Sequence, residues 1–185
     1  MTFDVQNALA DLFDGYIHKT KTATGQLPAV ELENDLPGWA SALPVVSTDE
    51  SSGLIYWQPV PNGDLALFNG MEQGLEVSLH RDLKAFYGSY WSNGIDCDSP
   101  VGPLYLLQVW NEEDLDILRE NLLGHAFMKR KKNQPLTFFV AVGEGDNVVV
   151  IDNVSGEVFL EVPGRRPHKK IADNLAAFIR GITAA

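Results

Sequence analysis

Apolar positions recur at helical spacing near both ends of the chain and in its middle, and run together as short strand-length blocks between. Val5, Leu9, Leu12, Phe13 and Tyr16 share one side of a helix, with Asp4, Asp11 and Asp14 opposite. Residues 20–44 follow no period and contain Gly25, Pro28, Pro37, Gly38 and Pro44, which predicts a long irregular loop carrying Glu31, Glu33 and Asp35. Val45-Val46-Ser47 and Leu54–Gln58 read as two strands joined by a turn over Asp49–Gly53, and Pro59 and Pro61 stop the second. Leu79, Leu83, Phe86 and Tyr87 place a helix over 79–90. A turn-rich connection then covers Asn93–Pro100.

The most informative stretch is 104–132. Leu104–Trp110 is a buried-strand run, and Asn111 is a good N-cap for the helix that follows. Glu112, Glu113 and Asp114 suit the positive end of that helix, and Lys129–Lys132 suit the negative end. Trp110 and Leu115 stand at staple positions, and Leu115, Leu118, Leu122 and Ala126 form its buried stripe. Thr137–Val142 is a further buried strand. Val148–Ile151 and Val158–Val162 flank a hairpin turn at Asp152–Glu157. Pro167 opens a last helix with Ile171, Leu175, Phe178 and Ile182 on one face. The pattern predicts an α+β fold: one domain over residues 1–185, with a mainly antiparallel sheet flanked by helices.

Composition narrows the setting. Of 185 residues, 45% are hydrophobic and 21% charged, as expected of an ordered globular protein. No apolar run approaches the roughly 20 residues that span a bilayer. Met1-Thr2-Phe3-Asp4 lacks the basic start of a secretory signal, and the single cysteine, Cys97, allows no intrachain disulfide. These features point to the cytoplasm. Formal net charge is −11 and is unevenly spread: residues 1–128 hold 19 acidic against 5 basic side chains, and residues 129–185 hold 6 against 9. Such an excess repels nucleic acid and attracts basic partners.

No catalytic constellation stands out, and nothing implies a cofactor or a small-molecule substrate. His18, His80, His125 and His168 do not pair at metal-ligand spacing, and Cys97 has no cysteine partner, so zinc is not expected. His125 reads as a structural residue late in the long helix. Asp96-Cys97-Asp98 reads as a turn, because it lacks the ligand run of a calcium loop and its carboxylates oppose thiol activation. Gly143-Glu144-Gly145 reads as a hairpin turn, too short for a phosphate loop. Trp39, Trp57, Trp91 and Trp110 read as core or rim anchors.

Two charge features remain. Glu72, Glu76, Asp82, Asp96, Asp98, Glu113 and Asp116 have few bases nearby in sequence and are the candidate partner-binding surface. Arg165, Arg166, Lys169 and Lys170 stand at the predicted start of the last helix, the wrong end for its dipole. That patch faces either plain solvent or anionic lipid.

Six blocks along the chain resemble the Syd family of SecY-interacting proteins: Tyr56–Pro59, Phe86–Ser89, Leu107–Trp110, Glu120–His125, Asn153–Val158 and Asn174–Phe178. The first fifty residues resemble it mainly through Leu27-Pro28 and Glu31. The resemblance implies a Syd/SUKH-like fold and a non-enzymatic regulatory or quality-control protein. It implies binding to SecY, the channel subunit of the translocation machinery, through an acidic concave face, with peripheral attachment to the cytoplasmic side of the inner membrane. Charge independently suits that partner, because cytoplasmic loops of inner-membrane proteins are rich in Lys and Arg. A monomer is expected. The alternative is a toxin-immunity or general interaction module, since the wider superfamily includes toxin-neutralising proteins and a basic nuclease would select the same charge.

Overall fold

The computed structural model describes residues 3–31 and 38–185; the acidic residues Glu33 and Asp35 lie outside them. The chain opens with α1 (Phe3–Thr24), whose Val5, Leu9, Leu12 and Phe13 are buried as their spacing requires. The helix continues through Thr20–Thr24, where a loop was expected. Thr22 and Thr24 donate their hydroxyls back to the carbonyls of His18 and Thr20, at 2.8 and 2.9 Å. That internal bonding lets β-branched residues finish a helix. The expected 20–44 loop is shortened again by β1 (Ala29–Glu31). With β2 (Val45–Asp49) and β3 (Leu54–Trp57) it forms an antiparallel three-stranded sheet in the order β1-β3-β2. Asp49 closes the β2–β3 turn by accepting from Ser51 and Ser52.

Next come β4 (Val60–Pro61), a 3-10 turn at Leu65–Phe68, α2 (Asn69–Leu75), α3 (Arg81–Gly88) and β5 (Tyr90–Trp91), which pairs with β4. β6 (Ile95–Asp98) and β7 (Leu104–Leu106) lead to α4 (Glu112–Lys131). Asn111 caps α4 by accepting from the Asp114 amide at 2.9 Å, as its sequence position foretells. β8 (Thr137–Val142), β9 (Val148–Asp152), β10 (Val158–Glu161), β11 (Lys169–Ala172), α5 (Leu175–Arg180) and β12 (Thr183–Ala184) complete the chain.

Two expectations fail here. Residues 95–98 form a strand, not a turn: Ile95 and Cys97 point into the core while Asp96 and Asp98 point out. Residues after Pro167 form β11, so the last helix begins only at Leu175, under an Asn174 cap. Sheet pairing to β10 takes precedence over the helical spacing of Ile171 and Leu175.

The main sheet has seven strands in the order β11-β10-β9-β8-β7-β6-β12, antiparallel at every pairing. The architecture is α+β. One face packs Ile95, Leu104, Leu106, Phe138, Ile151 and Val158 into a single apolar cluster with α1, α3 and α5. α4 lies across the other face, over Thr137 and Phe139, where the His125 ring meets Phe139 edge-on at 5.7 Å. Val140 is an extra residue in β8: Phe139 pairs with Val150 and Ala141 with Val149. Such a bulge bends a strand and resets which side its later residues face.

Candidate partner-binding surface

The strand registers define a row across the α4 side of the sheet. Beyond the bulge Val142 pairs with Val148, Tyr105 with Val142, and Asp96 with Tyr105. These four share the face that carries Phe139 and Val150, because side chains alternate along each strand. Asp98 lies two residues on from Asp96 and faces the same way. α4 covers the β8–β10 part of this face and leaves the β6–β7 part open: Asp96 and Asp98 are exposed, Tyr105 is 37% exposed and Val142 44%. A hollow of about 370 Å³ continues the row past Val142 and Val148 to Asp146 and Pro163.

The open part is flanked on two sides, by Asp114 and by Tyr16. On one, the first turn of α4 carries Asp114, whose carboxylate accepts from the Trp110 amide at 2.9 Å. Burial, partly offset by that bond, raises the Asp114 carboxyl above the usual carboxylate range. On the other, Tyr16 of α1 packs against Trp57 of the small sheet at 6.0 Å, and Trp57 in turn meets Trp110 edge-on at 6.0 Å. Trp39 stacks on Trp110 at 5.1 Å and accepts its indole N–H through the backbone carbonyl.

Three tyrosines register the negative potential of this corner. Burial raises the Tyr105 hydroxyl first, and Asp96, Asp114 and Tyr16 add to it. Burial also leads for Tyr16, followed by Asp96, and for Tyr90, followed by Asp14 and Asp11. Among the described residues, Asp11, Asp14, Asp96, Asp98 and Asp114 take part in no ion pair. Sequence reading missed the tyrosines and Asp11 and Asp14. The signal was there for Tyr105, an outward position between two inward leucines.

The remaining acidic candidates lie elsewhere and several have local work. Glu72, on α2, accepts from the Leu79 amide at 2.8 Å and from Lys84 at 3.0 Å, tying α2 to α3. Glu76 ends α2 in a left-handed conformation (φ 51°) and lines, with Glu72, a hollow of about 400 Å³. Asp82 is 7% exposed in the first turn of α3, beside the Arg81 guanidinium at 3.5 Å. Asp116 pairs with Arg119 at 2.7 Å. Glu113 sits with Gly38, Trp91 and Trp110 around a hollow of about 290 Å³. The geometry therefore gathers Asp96 and Asp98 with Asp114, and separates Glu72, Glu76 and Asp82 from them on α2 and α3.

Under the covered half of the same sheet face lies a polar cluster that the sequence does not reveal. Lys129 and Glu161 are both fully buried and paired at 2.7 Å. Thr137 also donates to Glu161, at 2.9 Å, and Lys129 donates to the Arg165 carbonyl. His125 Nε2 stands 3.5 Å from the other Glu161 oxygen. Burial holds the imidazole below its ordinary range, against the pull of Glu161 and with the push of Lys129. His125 is thus structural, as its position suggested. Cys97 faces the core, and its thiol is pushed up to about 12 by burial and by Asp96 and Asp98. Among the described residues no three His, Cys, Asp or Glu side chains are placed to hold a metal ion, and no helix is long and apolar enough to cross a membrane.

A model of the family described as Syd protein (SUKH-2) matches residues 6–184. Protein Syd of Hahella chejuensis is 45% identical over 177 residues, covering 96% of this chain and 92% of that protein. Protein Syd of Pseudoalteromonas atlantica is 37% identical over 180 residues, 97% of this chain and 95% of that protein. Protein Syd of Shewanella sp. strain ANA-3 is 37% identical over 178 residues, 95% and 81% respectively. The sheet, its capped α4 and the open strand row beside it are therefore those of a chain that belongs to the Syd family.

Proposed function

We propose that this protein is a non-enzymatic regulator that docks on the basic cytoplasmic loops of SecY through the open acidic face at β6–β7. The observation that carries the reading is the open cross-strand row Asp96–Tyr105–Val142, bordered by Asp98 and Asp114, whose carboxylates take part in no ion pair among the described residues; Lys19, near β12, donates instead to the Ala184 carbonyl. A lysine- or arginine-rich loop supplies the missing charge, and Tyr105 and Val142 supply apolar area at the centre. Such complementarity sets encounter rate and register more than raw affinity, and salt weakens it. Attachment to the inner membrane is then peripheral, from the cytoplasmic side and by way of SecY.

Membranes containing SecY should retain the protein at low salt and release it as salt rises. Asp96→Lys with Asp98→Lys should abolish retention while leaving the melting temperature in place. Glu72→Lys with Glu76→Lys, on α2, tests whether the surface extends that far. Equal retention by membranes without accessible SecY loops rejects the reading. Capture of a basic nuclease in place of SecY would instead assign the acidic face to toxin neutralisation.

A further inference from the structure

The seven-stranded sheet is electrically polarised from edge to edge. Asp96 and Asp98 lie on β6 at one side, and Lys169 lies on β11, the edge strand at the other. β6 and β11 are five strand spacings apart in the sheet order, but the sheet curls, so that Ile171 and Ala172 of β11 line a small hollow with Ser99–Val101. The acidic and basic groups are therefore set apart by the strands that carry them and by the side of the sheet they occupy.

The basic edge is larger than its sequence suggests. The β10–β11 turn is bound to the C-terminal end of α4 by three links: Lys132 donates to the Gly164 carbonyl at 2.8 Å, Arg166 to the Asn133 carbonyl at 3.2 Å, and Lys129 to the Arg165 carbonyl at 2.9 Å. These contacts bring Lys131 and Lys132 beside Arg165, Arg166 and Lys169. All five are exposed, and among the described residues none is in an ion pair. Lys170 differs: Glu157 and Asp173 hold it, at 2.5 and 2.7 Å. Of the other carboxylates at this end, Glu161 is buried against Lys129, and Asp146 borders the hollow next to Val162 and Pro163. Phe127 stands four residues before Lys131, on the same flank of α4, and is 52% exposed. An apolar ring beside a group of free bases is the make-up of an interfacial membrane contact.

We infer that this basic pole, Lys131, Lys132, Arg165, Arg166 and Lys169 with Phe127 beside them, rests on anionic phospholipid headgroups. The choice of a membrane over another polyanion rests on the docking function proposed above, which places the protein at a bilayer surface. The acidic face at β6–β7 then stays free for a protein loop, and the lipid contact orients it.

Sedimentation of the full chain with vesicles tests this without SecY. Vesicles of phosphatidylcholine with a third phosphatidylglycerol should bind the protein at low salt; phosphatidylcholine alone should not. Each base contributes about fivefold near such a surface, so Lys131→Gln, Arg165→Gln and Lys169→Gln together should lower partitioning by about a hundredfold. None of these three side chains makes a hydrogen bond or ion pair among the described residues, so thermal melting should be unchanged. Lys170→Gln should change partitioning less than about twofold, because that charge is already neutralised. Phe127→Ala should reduce it by roughly threefold or more. Equal binding to neutral and anionic vesicles, or full binding by the triple variant, overturns the inference. So does tighter retention on a nucleic acid homopolymer than on the anionic vesicles. Asp96→Lys with Asp98→Lys must leave vesicle binding intact; loss of SecY retention in that variant with vesicle binding kept separates the two sites.

Discussion

One face of the main sheet carries carboxylates twice, and the two places treat them in opposite ways. Beneath α4, Glu161 is fully buried and surrounded by a lysine, a threonine and a histidine. At the open end, Asp96 and Asp98 are exposed and take part in no ion pair among the described residues. A buried charge must be matched on the spot, because an unpaired one in the interior costs several kcal/mol. An exposed charge needs no match, so a group of them left unmatched is free to be matched from outside. The contrast separates carboxylates that hold the fold from those available to a partner.

The largest effect should come from breaking the buried pair. Lys129→Met leaves Glu161 uncompensated and should cost about 3–5 kcal/mol in urea unfolding. Lys129→Met with Glu161→Leu should recover most of that loss; if the double variant is as unstable as the single, the pair is not what the site depends on. Asp114 stands between the two regimes: half-buried, it accepts from the Trp110 amide and lies near Tyr105 of the open face. Asp114→Ala removes the acceptor for the Trp110 amide and should cost about 1–2 kcal/mol.

A smaller effect is expected from pH. The His125 imidazole is held below its ordinary value of 6.5 by burial, so the folded state resists a proton that the unfolded chain accepts. Stability contributed by the neutral ring is present above pH 6.5 and falls as pH drops from there toward the folded value. Thermal melts from pH 8 to 5 should show that loss in the native protein and a shallower one in His125→Gln. The smallest stability effect belongs to the open end. Asp96→Asn with Asp98→Asn should change unfolding free energy by no more than about 0.5 kcal/mol, yet weaken retention on SecY-containing membranes. A destabilised variant would place these two side chains with Glu161 and against the comparison.

Much of this was legible in the sequence, and the reasons for success and failure are physical. α4 was readable at both ends because its cap, its charge gradient and its apolar stripe agree with one another. The β9–β10 hairpin was readable from its Asp152–Glu157 turn, where Asp152 accepts from Val154 and Ser155. β6 was hidden because Asn93-Gly94 and two aspartates look like a turn, although Ile95-Asp96-Cys97-Asp98 alternates as a half-buried strand does. β11 was hidden behind Pro167 and an accidental helical spacing. Of the site, Asp96 and Asp98 could be named from charge alone. Their union with Tyr105 and Asp114 needed the register of β6 on β7 and the seat of α4. The Lys129–Glu161 pair could not be read at all: 32 residues separate the partners, and Lys129 begins a basic run that suits a solvated helix end.

The extra residue at Val140 has a reach well beyond its own strand. A pleat has two phases, and a residue added inside the paired ladder would swap them for everything downstream. Bulged out at Val140, the added residue is absorbed: Phe139 and Ala141 still pair with the adjacent Val150 and Val149, and Val142 stays in line with Tyr105 and Asp96. Were the bulge flattened so that Val140 paired with Val149, Val142 would turn toward the apolar interior and Ala141 outward, and the line would be cut. A docking surface made of charged and aromatic groups is thus kept in phase by an irregularity in the backbone beside it, so deleting Val140 should spare the surface while a second insertion there should scramble it.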